Sequence, residues 1–189
     1  WPNGARSMMW GIDYSPDGSI WFTDESYDSV WTFSTLDEKY TRIGYPTEND
    51  SLPQKLLVDG SKIIINDFTG NKLTLLDPNQ SGEEINYLSI PSPIDNSVTA
   101  GFAVDAKDNI WFTNWLFQQG GVLVKFDQNG YLDSVASSNE QSLPLLDHVE
   151  IYELPTTLLT PNGAAVSSDG TIWLADTTSS SFFNFNPIT

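Results

Sequence analysis

Apolar residues in this chain come in short runs set off by turns of Asp, Asn, Gly and Pro. The middle runs, such as Ile20-Trp21-Phe22 and Ile110-Trp111-Phe112, are apolar at consecutive positions. Strict alternation would indicate a sheet with one wet face. Continuous apolarity indicates a strand covered on both sides. No stretch holds a period of 3.6, so no long helix is expected anywhere.

The runs repeat. Gly18-Ser19-Ile20-Trp21-Phe22-Thr23-Asp24 returns as Asp108-Asn109-Ile110-Trp111-Phe112-Thr113-Asn114 and as Gly170-Thr171-Ile172-Trp173-Leu174-Ala175-Asp176. A worn copy reads Ser61-Lys62-Ile63-Ile64-Ile65-Asn66-Asp67. An apolar run precedes each copy across a turn such as Asp17-Gly18, Asp59-Gly60 or Asp108-Asn109, residues that tolerate positive φ. Each unit therefore opens with a β-hairpin. A third apolar stretch follows, as in Ser29–Phe33 and Val122–Phe126. A fourth ends on Pro at Pro46, Pro91 and Pro155, which suits an edge strand.

Four antiparallel strands recurring at this spacing predict an all-β chain of β-propeller blades. The blades are placed at about residues 7–50, 51–93, 94–155 and 156–189, the last incomplete. Four such units do not make an ordinary closed ring, so the pattern predicts part of a larger ring of six or seven blades. Further blades or a partner protein are expected to cover the end faces. Trp21, Ile64, Trp111 and Trp173 are expected at equivalent buried positions.

Charge narrows the partners. Eight Lys and Arg against twenty-five Asp and Glu give a net charge of −17. Cations so sparse cannot neutralise a phosphate backbone, so nucleic acid is excluded as a partner. An anionic membrane surface is disfavoured for the same reason, and no apolar run is long enough to cross a bilayer. There is no cysteine, which removes disulfides, thiolate metal sites and Cys nucleophiles. Abundant Asn, Ser, Thr and Trp with little Lys suggests an extracellular or cell-surface location. Two sequons, at Asn49 and Asn79, add little to that.

The unit, with its Ile-Trp-Phe-Thr-Asp phrase and a closing strand ending in Leu-Pro or Ile-Pro, resembles the repeat of the streptogramin B lyase-like propellers (virginiamycin B lyase and relatives). It is more distantly similar to NHL-repeat and gluconolactonase-type propellers. The resemblance covers nearly the whole chain and implies a propeller fold. It also implies where lyase chemistry would sit: a His before the Gly of the first strand, with a Glu two residues away beside a bound magnesium ion. The matching positions here are Met8 and Trp10, Gln54 and Lys55, Val98 and Ala100, and Thr160 and Asn162. None is His or an acid, so the resemblance carries no catalytic residue onto this chain.

Other candidates compete with plainer readings. Asp24, Asp67, Asn114 and Asp176 end the Trp phrase in every unit. A ring of such groups could hold Mg or Ca, but a residue recurring in every unit fits turn capping better. No cofactor is expected. Trp10, Trp31 and Trp115 break the repeat. Trp115-Leu116-Phe117 is read as an enlarged turn, either a binding contact or a loop folded back on its own domain. Leu143, Pro144, Leu145, Leu146 and the single histidine, His148, belong to an insertion at 137–148. In a repeat protein, departures from the repeat report function. Trp115, Leu116, Phe117, Leu145, Leu146 and His148 are therefore the candidate partner contacts. Three readings stay open: a non-catalytic interaction module, a metal-dependent lyase or lactonase with its catalytic residues on other blades, and a structural spacer of a surface protein.

Overall fold

A computed structural model describes residues 8–45, 51–78, 87–138 and 144–187. Asn49, Asn79 and Leu143 lie outside the described residues. The chain divides into two compact units, Trp1–Ser89 and Ile90–Thr189. Each contains antiparallel sheets whose strands follow one another in sequence order.

The first sheet comprises β1 (Ile12–Tyr14), β2 (Ser19–Asp24), β3 (Ser29–Ser34) and β4 (Lys39–Gly44). The second comprises β5 (Pro53–Asp59), β6 (Lys62–Asp67), β7 (Lys72–Leu76) and β8 (Tyr87–Pro91), with the unit boundary falling inside β8. The third comprises β9 (Val98–Val104), β10 (Asn109–Leu116), β11 (Gly120–Asp127) and β12 (Val149–Glu153). The fourth has three described strands, β13 (Pro161–Val166), β14 (Ile172–Asp176) and β15 (Ser181–Phe185). The repeated phrase is the second strand every time. The turns before it need positive φ, supplied by Gly18 (87°), Gly60 (59°), Asp108 (62°) and Gly170 (85°).

Each residue of the phrase has a task. Trp21 packs with Val30 and Ile43 of its own sheet against Leu56, Ile63, Ile65 and Leu76 of the second. Trp111, Leu123 and Tyr152 pack likewise against Ile172, Leu174, Phe183 and Phe185 of the fourth. The Thr of the phrase ties neighbouring sheets. Thr23 Oγ1 accepts from the Gly11 amide at 3.0 Å and donates to the Gln54 carbonyl. Thr113 Oγ1 accepts from the Gly101 amide at 3.0 Å and donates to the Pro161 carbonyl at 2.7 Å. Gly11 and Gly101 permit this approach. A Cβ at Gly11 would lie 2.5 Å from the Leu56 nitrogen, and one at Gly101 would lie 2.7 Å from the Gly163 carbonyl carbon.

Three expectations need correction. Trp173 pairs across its sheet as Trp21 and Trp111 do, yet it is 42% exposed where they are 6% and 1%. Those two have a following sheet against them, and no described sheet follows the fourth. The enlarged turn at 115–117 is mostly strand. β10 continues through Trp115 and Leu116, which pair with Gly121 and Gly120, and Trp115 is buried. The chain after β11 is also helical, where no long helix was expected. The ten-residue α1 (Gln128–Ser137) starts on Asp127, whose side chain accepts from the Gly130 amide at 2.9 Å.

Candidate functional site

The first-strand positions that would hold lyase chemistry are occupied by groups with structural partners or by apolar side chains. Ala100 is buried. Thr160 is also buried, and its hydroxyl bonds to those of Thr177 and Thr178. Asn162 Nδ2 donates to Thr177 Oγ1 at 3.0 Å. Lys55 is half-buried, and loss of solvent lowers its ammonium pKa below the ordinary value. Met8 and Trp10 are exposed.

The residues ending the phrase, Asp24, Asp67, Asn114 and Asp176, are all buried. Asp67 accepts from the Leu52 amide at 2.7 Å, the Gly70 amide at 2.8 Å and the Ser51 hydroxyl at 2.9 Å. Asp176 accepts from the amides of Leu159, Thr160, Thr178 and Ser179. These carboxylates fasten the following turn and also the segment entering the first strand. Burial pushes the Asp176 carboxyl up, but the amide donors of Ser179, Thr160 and Leu159 outweigh it and leave the pKa below the ordinary value. Asn114 Nδ2 donates to Thr99 Oγ1 at 2.8 Å. No group of three or more His, Asp or Glu able to hold a metal ion occurs among the described residues.

The candidate contact residues of the third sheet do not form one surface. The Leu116–Gly120 turn closes one end of the β10–β11 hairpin. The 3-10 helix Leu145–His148 leads into β12 at the other end, where Val149 pairs with Phe126. Seven strand steps along β11 separate the ends by roughly 23 Å. Phe117 is 59% exposed at the first end, and Leu116 is half-buried. At the second, Leu146 is 54% exposed, and Leu145 and His148 are half-buried. The His148 ring meets Tyr131 of α1 edge-on at 5.6 Å, and Tyr131 in turn packs on Phe126 at 5.8 Å. His148 thus closes an aromatic stack that anchors the helix.

A polar cleft of 590 Å³ opens between the third and fourth sheets, lined in part by Asp105, Lys125, Glu150, Tyr152 and Asp169. It is not legible in the sequence, because residues of the repeated turn and phrase (Asn109, Trp111, Asp169) meet residues of β11 and β12 only once two sheets are side by side. Lys125 Nζ lies 2.7 Å from Glu150 Oε1, and the Tyr152 hydroxyl donates to Glu150 Oε2 at 2.6 Å. The Lys125 and Tyr152 donors hold the Glu150 carboxyl below its usual pKa, while burial and Glu150 push Tyr152 up to about 12. Trp111 Nε1 and Asn109 Nδ2 donate to Asp105 Oδ2 at 2.9 and 2.8 Å. These groups satisfy one another, so the cleft offers hydrogen-bonding walls. A second concavity, apolar and 750 Å³, lies on the first sheet, where Trp10 and Trp31 sit beside Ile12, Ile20, Phe22 and Tyr40.

No family model and no curated protein matches the chain. Solved structures do. A streptogramin B lyase superposes with a TM-score of 0.72 at 19% identity over 95% of this chain and 52% of that one. A putative 6-phosphogluconolactonase from Bacteroides uniformis gives 0.66 at 16% identity over 97% and 52%. A chain of the nidogen/laminin complex gives 0.66 at 16% identity over 97% and 62%. The protein therefore has the β-propeller fold of the streptogramin B lyase and gluconolactonase structures. At such identities the likeness establishes the fold alone, and the chain spans little more than half the length of the structures it matches.

Proposed function

We propose that this chain is an interaction module of an extracellular or cell-surface assembly, binding a protein partner and doing no chemistry on its own blades. One observation carries the reading. The four first-strand positions hold neither His nor acid, being Met8 and Trp10, Gln54 and Lys55, Val98 and Ala100, and Thr160 and Asn162. The amide-bound carboxylates of Asp67 and Asp176 support it, as does the neutralised Lys125–Glu150–Tyr152 network. So does the nidogen/laminin likeness, a propeller seen in complex with another protein. The second reading is a metal-dependent lyase or lactonase, favoured by the lyase and lactonase structures of the same fold. Calorimetric titration of the complete protein, with any further blades it has, with MgCl2 and CaCl2, followed by incubation with a cyclic depsipeptide ester and an aldonolactone, separates the two. The expected result is no binding heat and no ring opening. Metal-dependent ring opening would establish the enzyme.

A further inference from the structure

The polar cleft between the third and fourth sheets breaks the repeat, and strand register shows how. Lys125 pairs with Trp111 as Thr32 pairs with Trp21, and Glu150 then stands where Thr41 stands. Tyr152, opposite Leu123, matches Ile43, opposite Val30. The Asp105 amide donates to the Asn109 carbonyl as the Ser15 amide donates to the Ser19 carbonyl. The Trp is common to both sheets, and each sheet packs it against the next one. Around it, Ser15, Thr32, Thr41 and Ile43 of the first sheet give way to Asp105, Lys125, Glu150 and Tyr152. Packing does not demand the exchange, since Trp21 is buried with the smaller set around it. A concerted departure at four matched positions marks a site.

The chemistry of the cleft selects a class of ligand. Its 590 Å³ lies within the range of small-molecule sites, roughly 300–1,000 Å³. Asp105, Asp127, Glu150 and Asp169 outnumber Lys107 and Lys125 along its walls, so an anion meets net repulsion. A cation finds its place taken. The Lys125 ammonium already lies 5.9 Å over the Trp111 ring and 2.7 Å from Glu150. What is left is a row of fixed donors and acceptors beside an aromatic ring. Lys125 gives Glu150 one of the three N–H donors of an ammonium, and the Tyr152 oxygen, its proton committed to Glu150, can still accept. The half-buried Tyr152 ring is fixed by Trp111 at 5.8 Å and Phe185 at 4.8 Å. Hydroxyl groups, which donate and accept together, match the row, and an apolar C–H face matches the ring.

We propose that this cleft binds a neutral saccharide, with Lys125 and Glu150 taking its hydroxyls and Tyr152 its C–H face. The site is distinct from the positions matched to lyase chemistry. Ala100 and Asn162 lie beside Asn114 and Asp176, where the phrase ends, whereas Asp105 and Asp169 flank its start. The inference goes beyond the protein-partner reading and does not depend on it.

Saturation-transfer NMR and calorimetry on the complete protein, with any further blades it has, test the proposal. The probes are maltotriose, cellotriose and triacetylchitotriose, with glucuronate and arginine amide as charged comparisons. Two variants put back the residues of the first sheet: the double exchange Lys125→Thr with Glu150→Thr, and Tyr152→Ile. Urea denaturation confirms that each is folded. At least one trisaccharide is expected to bind, with an affinity that NaCl does not change. Each variant is expected to weaken that binding by about tenfold or more. Three results overturn the proposal: no trisaccharide binds, either variant binds as the wild type does, or glucuronate or arginine amide binds more tightly than every trisaccharide.

Discussion

Thr113 illustrates how much one hydroxyl of the phrase holds together. It accepts from Gly101 of its own sheet and donates to Pro161 of the next, and it is fully buried. Valine matches its shape but strands the Gly101 amide without its acceptor. Thr113→Val is expected to cost about 1–3 kcal/mol, the range for a buried unsatisfied group. Thr113→Ser should recover most of that, read as the urea midpoint. Asp176 acts through charge as well as geometry. Its folded pKa is lowered, so between the two pKa values the unfolded state binds more protons and stability rises with pH. Its contribution is complete above the unfolded value near ~3.9 and is lost as pH falls through the lower folded value. Asp176→Asn should be less stable at neutral pH, with a flatter stability profile below pH ~4 than the wild type.

The elements set the cost of the same residue in different sheets. Trp111 is 1% exposed between two sheets, and Trp111→Ala should lower stability by about 3–5 kcal/mol. Trp173 holds the equivalent place on β14, and Trp173→Ala in dilute protein should cost about 1 kcal/mol or less. Chemical denaturation of both variants decides this, and equal losses would mean that the Trp173 face is covered in solution. The hairpins were legible because Asp-Gly and Asp-Asn turns precede a recurring phrase. Two features at the third sheet were not. β10 outruns the phrase by two residues because Trp115 and Leu116 find partners in Gly121 and Gly120, which a short-turn template does not allow for. α1 was hidden because only Gln128 and Tyr131 of the helix are buried, leaving no apolar stripe to read. Its capping residue, Asp127, has counterparts in Asp77 and Asn186 of other units, but those are followed by Pro78 and Pro187 where Asp127 is followed by Gln128. Trp115 is accordingly a core residue and not a partner anchor. Trp115→Ala should destabilise the fold, while Phe117→Ala changes stability by no more than about 0.5 kcal/mol.

Charge is the property of the whole molecule that most separates the readings. With twenty-five acids against eight Lys and Arg, the folded chain holds like charges close together, with Lys125–Glu150 an ion pair among them. Unfolding relieves that repulsion, so added NaCl should raise the unfolding midpoint by screening it. CaCl2 at the same ionic strength gives the sharper comparison. Screening depends on ionic strength and valence over long distances, whereas a site on the native state adds RT ln(1 + [L]/Kd) of its own. If Asp24, Asp67, Asn114 and Asp176 contribute a cation site, calcium should exceed NaCl, and the excess should grow with the logarithm of calcium concentration. The amides of Leu52, Gly70, Thr160 and Ser179 already occupy the oxygens of Asp67 and Asp176. A cation would have to displace those donors and unfasten the turns they hold. The expected outcome is one curve for both salts once they are matched in ionic strength. A saturating, calcium-specific rise would return these residues to metal binding and with it the enzymatic reading.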